Sequence, residues 1–299
     1  MKTVLFYSFK GGVGRTQSLL NIAKYLTEEK NKKIAIVDFD IYAPGLSYLS
    51  SNQKDIDTEY FLKYLVNLFE ENEKKDIFTE QIAENLTLIP AYSMQNILPY
   101  HDLLTDLSQF LYSIKQSSNI ETDNLSTVAD NIFNVIKEDI SKTGDYDYIF
   151  FDARTGITEV SDILFSKDVD FKVIISSYNN QNIYGTNEIL KILPKSDIQK
   201  HQILRVLSPK PDVENDKVEA VLAKADLVTD DNHIRLRSKF DWLGTMEIPY
   251  EQEIVLNDFD SWDKLNDDNF YKNSIKDIAN TINDKFNTES VLDELQKIP

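Results

Sequence analysis

"FYSFKGGVGRTQSLLNIAKYL", residues 6–26, decides how the rest of the chain is read. Residues 2–8, KTVLFYS, form a short apolar run that stops at a glycine cluster, the pattern of a strand buried on both faces. From Arg15 onward, Leu19, Leu20, Ile22, Ala23 and Leu26 recur at helical spacing until the charged stretch EEKNKK. Gly11, Gly12 and Gly14 lie between the two, so a glycine-rich turn feeds a helix N-terminus. Such a turn offers backbone N–H groups to an anion with no Cβ in the way, and the helix dipole adds about half a positive charge there. Thr16 places a hydroxyl where a phosphate-binding loop holds Mg²⁺. The usual spacing, G-x-x-x-x-G-K-[ST], would put glycine at Phe9 and lysine at Arg15, so this stretch departs from it at both positions.

The first strand has companions of the same design. KIAIVDFD (33–40) is apolar and ends in Asp38 and Asp40, and YIFFDARTG (148–156) ends its apolar run in Asp152. KVIISS (172–177) and ILRVLS (203–208) complete the set, with helical stretches between. Repeated strand–helix alternation predicts an α/β fold with a doubly wound, mostly parallel sheet flanked by helices. In such a sheet the strands' carboxyl ends form the ligand crevice, which is where Asp38, Asp40, Asp152 and the glycine turn all fall. Two stretches, about 52–84 and 100–143, are expected to be helical inserts. Phe61, Leu62, Leu65, Leu68 and Phe69 make one apolar stripe; Leu125, Val128, Ile132, Val135, Ile136 and Ile140 make the other. Both suit packing on the sheet edge or on a partner, and residues 1–299 are expected to form a single domain.

Composition removes several classes of function. A formal net charge of -18 argues against a protein that lives on a nucleic-acid backbone, which draws its affinity from clustered Lys and Arg. The chain has no cysteine, so disulfides, thiolate zinc sites, iron–sulfur ligation and thiol nucleophiles are all excluded. His101, His201 and His233 lack ligand spacing. No apolar run approaches the roughly 20 residues of a membrane span, and Met1 leads directly into a strand, so the expected location is the cytoplasm.

The loop KGGVGRT resembles the deviant Walker A motif K-G-G-x-G-K-[ST] of the ParA/MinD family of P-loop ATPases, of the SIMIBI class, and in particular the variant group whose loop carries arginine. That group also has a D-x-D-x-x-A-P-G-L segment, matched by DFDIYAPGL (38–46), and a D-x-R-T-G segment, matched by DARTG (152–156). GTMEIPYEQEIVL (244–256) is similar to the late segment that closes the family's nucleotide pocket.

The resemblance implies ATP or ADP with Mg²⁺ as the ligand, and a role for each motif residue. Lys10 matches the signature lysine that reaches the nucleotide of a neighbouring subunit, implying an ATP-dependent sandwich homodimer. Lys10, Gly11, Gly12, Val13, Gly14, Arg15, Thr16 and Gln17 would surround the phosphates. Arg15 stands where a lysine holds the β and γ phosphates. It keeps the charge, but its planar fork is less adaptable than an ammonium, so slow hydrolysis is expected. Thr16 and Asp152 would hold Mg²⁺, with Asp38 acting through coordinated water. Asp40 falls where family members position the attacking water. Arg154 and Thr155 lie in the segment that resembles the γ-phosphate sensor, with the Gly156 N–H directed at that phosphate. Arg154 fits a transition-state cation and a structural ion pair equally well. Pro209, after a late strand, and Pro249 with Tyr250 fall near where the adenine ring sits in the family.

Within the family, cysteine-bridged iron–sulfur carriers and arsenical pumps are excluded by composition. Membrane anchoring through a basic C-terminal helix is disfavoured, because residues 271–299 hold four lysines against five acidic residues. Ile275, Ile278, Ile282 and Phe286 there suit docking on the domain instead. The remaining expectation is an ATP-controlled dimer that recruits a protein partner, as in multi-component bacterial systems, defence among them. A non-hydrolysing nucleotide-binding module, favoured by Arg15, and a protein kinase are the alternatives.

Overall fold

The computed structural model describes residues 1–51, 58–70, 76–94, 98–117, 122–158, 160–193, 201–211, 219–220, 240–256 and 261–296. His233 lies outside them, as do the side chain of Leu125 and parts of the first expected insert.

Among the described residues eight strands form one sheet: β1 (Lys2–Ser8), β2 (Ile34–Phe39), β3 (Glu80–Ala83), β4 (Leu86–Ile89), β5 (Tyr148–Ala153), β6 (Phe171–Ser176), β7 (His201–Lys210) and β8 (Phe240–Pro249). Their spatial order is β3-β4-β2-β5-β1-β6-β7-β8, and only β3 runs antiparallel to its neighbour. The five strands legible as apolar runs sit together as β2, β5, β1, β6 and β7, and β1, β2, β5 and β6 are buried from end to end apart from Lys2. β1 lies between β5 and β6, so the glycine turn leaves the middle of the sheet.

Alternation along β1 divides the core. Val4 and Phe6 face one layer, where α1 (Arg15–Lys30) packs beside the long C-terminal helix. Leu5 and Tyr7 face the other layer, with α2 (Phe61–Phe69), α3 (Leu98–Ser117), α4 (Thr122–Ser141), α5 (Ser161–Leu164) and α6 (Asn180–Ile192). Two short helices, α7 (Gln252–Leu256) and α8 (Ser261–Lys264), precede the C-terminal helix α9 (Phe270–Gln296). Ile275, Ile278, Ile282 and Phe286 of α9 are all buried in the α1 layer, as expected for a docking stripe. Polar contacts pin the same face: Tyr271 receives a hydrogen bond from the Asn21 amide at 2.9 Å, and Tyr148 donates to Asn283 at 3.1 Å.

The first insert differs from expectation. Residues 52–84 are expected to be helical, but among the described residues there Phe61–Phe69 is the one helix, and Glu80–Ala83 is an edge strand paired with β4. β8 also carries no legible apolar run: most of its residues are only half-buried, because it closes the opposite edge of the sheet. Within the second expected insert, about 100–143, the described residues include the helices α3 and α4.

Candidate functional site

β1 delivers the glycine turn to the carboxyl end of the sheet, and α1 starts at Arg15 directly after it. Gly12 and Gly14 both have φ 75°, a conformation that L side chains rarely adopt. A Cβ built on Gly11 or Gly12 would meet nothing within 4 Å, so the loop borders open space. That space is a cavity of about 450 Å³ lined by the loop from Gly11 to Gln17, with Asp40, Gly45, Tyr48 and Thr155 among the facing residues. Val13 turns its side chain into the core and so offers the cavity mainly backbone. Phe9, at the degenerate first position, packs its ring against Gly185 of α6 and leaves the cavity clear.

The carboxylates come together through strand register. Asp38 on β2 sits directly opposite Asp152 on β5. Thr16 donates its hydroxyl to Asp152 Oδ2 at 2.7 Å, and Arg15 Nε donates to Asp152 Oδ1 at 2.6 Å. Arg15 Nη2 also approaches Asp40 Oδ2 at 3.5 Å. Burial opposes the Arg15 charge, yet Asp152 and Asp40 together hold its guanidinium above its ordinary pKa. Burial raises the Asp40 carboxyl, while the Arg15 charge pulls the other way.

Asp38 is fully buried rather than solvated at a strand end. Its Oδ2 accepts from the backbone N–H groups of Leu46 and Ser47 at 2.9 and 2.8 Å and from the Ser47 hydroxyl at 2.8 Å, so it ties the 38–46 loop back onto β2. Burial, with Asp152 alongside, pushes its carboxyl up to about 7. That tie brings Gly45 against the P-loop, where an added Cβ would stand 3.7 Å from the Thr16 side chain.

The remaining expected residues are placed less centrally. Lys10 is half-buried beside the cavity and makes no ion pair among the described residues. Arg154 lies over the Tyr42 ring, 4.4 Å from its centroid, and makes no ion pair within 4 Å among the described residues. Gly156, with φ 76°, donates its N–H to the Ser8 carbonyl at 3.4 Å. Pro209, Pro249 and Tyr250 do not line the cavity: Pro209 and Tyr250 are exposed and Pro249 is half-buried. From that region Ser208 approaches the loop: its Oγ would lie 3.6 Å from a Cβ on Gly14. Tyr48 and Leu20 line the cavity without having been singled out as site residues. Tyr48 carries no sequence signal, since it is one of 15 scattered tyrosines.

The residues present fit a magnesium-bound nucleotide. Arg15 Nη1, Asp38 Oδ1 and Asp40 Oδ1 are buried without hydrogen-bond partners among the described residues, which leaves one donor and two acceptors unsatisfied, those of Arg15 and Asp40 on residues that line the cavity. Among the described residues no group of three His, Cys, Asp or Glu side chains is arranged as a metal cage. The available donors, Thr16 with Asp152 and Asp38, suit an ion that keeps most of its water and phosphate ligands.

The AAA domain family matches residues 1–206. A ParA family virulence plasmid protein, pGP5-D of Chlamydia psittaci, is 33% identical over 91 residues; these are 30% of this chain, which spans only 33% of that relative's length. Solved structures share the fold at low identity. A ParA family ATPase of Chlorobium tepidum is 19% identical with a TM-score of 0.55, covering 93% of this chain and 98% of its own. A Cyanothece McdA variant in complex with ATP is 15% identical with a TM-score of 0.63, covering 95% and 96%. The MinC:MinD cell division complex of Aquifex aeolicus is 17% identical with a TM-score of 0.52, covering 94% and 96%. Among the described residues no helix is long and apolar enough to cross a membrane. With its glycine turn, carboxylate-tipped strands and mostly parallel sheet, the chain belongs to the AAA domain family and shares the fold of the ParA and MinD structures.

Proposed function

We propose that this protein is a cytoplasmic Mg-ATP-dependent switch of the ParA/MinD type, which hydrolyses ATP slowly, forms a nucleotide-sandwich homodimer and acts on a protein partner. The observation that carries this reading is that the Gly11–Thr16 turn and Asp40 line one cavity, with Asp152 bound to Thr16 behind the turn and Asp38 opposite Asp152 in the sheet. The loop N–H groups and the α1 N-terminus would bind the phosphates. Thr16 and Asp152 would hold magnesium, with Asp38 Oδ1 acting through water. Magnesium, when bound, neutralises phosphate charge during in-line attack. Asp40, at the cavity wall, orients the attacking water, and Arg15 supplies positive charge to the phosphates. Lys10 precedes the cavity-lining Gly11 without lining the cavity itself, as a residue that serves a second copy would. ATP occupies the McdA relative, and MinD assembles with MinC; both support a nucleotide-controlled partner interaction here. A multi-component bacterial system, defence included, is the setting that fits such a switch.

One observation favours a second reading, a nucleotide-binding module that does not hydrolyse. Arg15 is already engaged by Asp152 and Asp40, the side chains that hydrolysis needs for metal and water. Phosphate release separates the two readings. A native rate that falls at least about tenfold in Asp40→Ala supports the switch, and equal rates support the non-hydrolysing module.

A further inference from the structure

Arg154 leaves the end of β5 between Ala153 and Thr155, and Thr155 lines the cavity. Its guanidinium carbon lies over the Tyr42 ring, 4.4 Å from the centroid, and its Nη1 is buried with no acceptor among the described residues. Tyr42 follows Asp40 by two positions, in the loop that Asp38 ties down. At the far end of the same ring the Tyr42 hydroxyl shares a 3.0 Å hydrogen bond with the Ser108 hydroxyl of α3. Helix α3 belongs to the insert between β4 and β5 and packs on the core through Leu107 and Leu111. It makes no wall of the cavity. One half-buried aromatic side chain therefore touches both a cation beside the cavity and a helix outside it.

We infer that Tyr42 is a positioning residue that couples the nucleotide cavity to helix α3, carrying Arg154 on its face and Ser108 on its hydroxyl. This rests on the nucleotide reading above. Arg154 has a donor to spare, and a terminal phosphate in the cavity supplies the acceptor it lacks. Reaching for it takes the guanidinium off the ring, and the Tyr42–Ser108 bond loses the packing that fixes it. The insert thus senses the ligand, and by linkage a protein that holds α3 alters ligand affinity by the same factor. One hydrogen bond and one cation–π contact set the scale, roughly three- to tenfold in affinity.

The test is hydrogen exchange on the full chain with and without Mg-AMPPNP, alongside calorimetric binding of the same nucleotide. In the native chain, exchange over residues 98–112 is expected to quicken at least about twofold on nucleotide addition. In Tyr42→Phe and in Ser108→Ala, which keep the ring and the helix, that response falls below about half and Kd tightens roughly three- to tenfold, because binding no longer weakens the Tyr42–Ser108 bond. Nucleotide binding with unchanged α3 exchange overturns the coupling, as does a full response in both variants. Absence of binding to the native chain overturns the nucleotide reading itself, and the coupling with it.

Discussion

Arg15 Nε donates to Asp152 Oδ1 at 2.6 Å, so the side chain in the P-loop lysine position is held by the carboxylate at the tip of β5. Asp152 divides its two oxygens between Arg15 and Thr16, the first two residues of α1. The turn and the strand tip are thereby joined by charge as well as by chain direction. Removing one partner from a buried cluster leaves uncompensated charge, so Arg15→Ala should lower stability by about 3–5 kcal/mol in urea unfolding. Arg15→Lys keeps the charge but gives up the planar fork, which releases part of Asp152. Its phosphate release should rise several-fold over the native rate; an unchanged or lower rate would mean that Arg15 does not restrain hydrolysis.

Asp38 makes stability depend on pH. Its carboxyl titrates at about 7 in the folded chain and near the ordinary 3.8 when unfolded, so the folded state holds the proton more tightly. Its contribution to stability is therefore lost as pH rises from about 4 to about 7. Asp38→Asn keeps an acceptor for the Leu46 and Ser47 N–H groups but carries no charge. Relative to the native chain, this variant should gain on the order of 1–3 kcal/mol between pH 4.5 and pH 8 in urea unfolding. An equal difference at both pH values would mean that Asp38 ionises freely.

Gly11 separates binding from folding. It has no positive φ, and a Cβ there meets nothing within 4 Å, so Gly11→Ala should change stability by less than about 0.5 kcal/mol. The new methyl group projects toward the space assigned to phosphate, and Mg-ATP affinity should fall about tenfold or more by calorimetry. Unchanged affinity would place the phosphates elsewhere.

Gly185 is constrained by packing rather than by φ. A Cβ on it would lie 2.1 Å from Phe9 Cε1, inside any real contact distance. Gly185→Ala must displace the ring at the start of the loop, and the expected loss is about 1–3 kcal/mol by thermal or urea unfolding. A neutral result would show that Phe9 can move without cost.

The sequence made the centre of the sheet legible and its margins obscure. β1, β2, β5, β6 and β7 are covered on both faces, so burial wrote itself into continuous apolar runs. Glu80–Ala83 and Phe240–Pro249 lie at opposite edges, where half-exposure permits mixed residues and no period survives. The glycine turn and its three carboxylates were equally plain, because phosphate chemistry restricts residue type. The bond from Arg15 to Asp152 was not, since it spans 137 positions and depends on a rotamer. The Tyr42 bridge was hidden for the same reason: nothing in DFDIY distinguishes a ring that stacks on arginine from one that fills the core.

The central claim is that the turn after β1 and the tips of β2 and β5 enclose a magnesium-bound nucleoside triphosphate. Isothermal titration of the native chain with ATP, with and without Mg²⁺, tests it most directly. Saturable one-site binding that is tightened by Mg²⁺ and weakened in Gly11→Ala is the expected result. No heat of binding at saturating protein, or binding indifferent to both Mg²⁺ and Gly11→Ala, would contradict it.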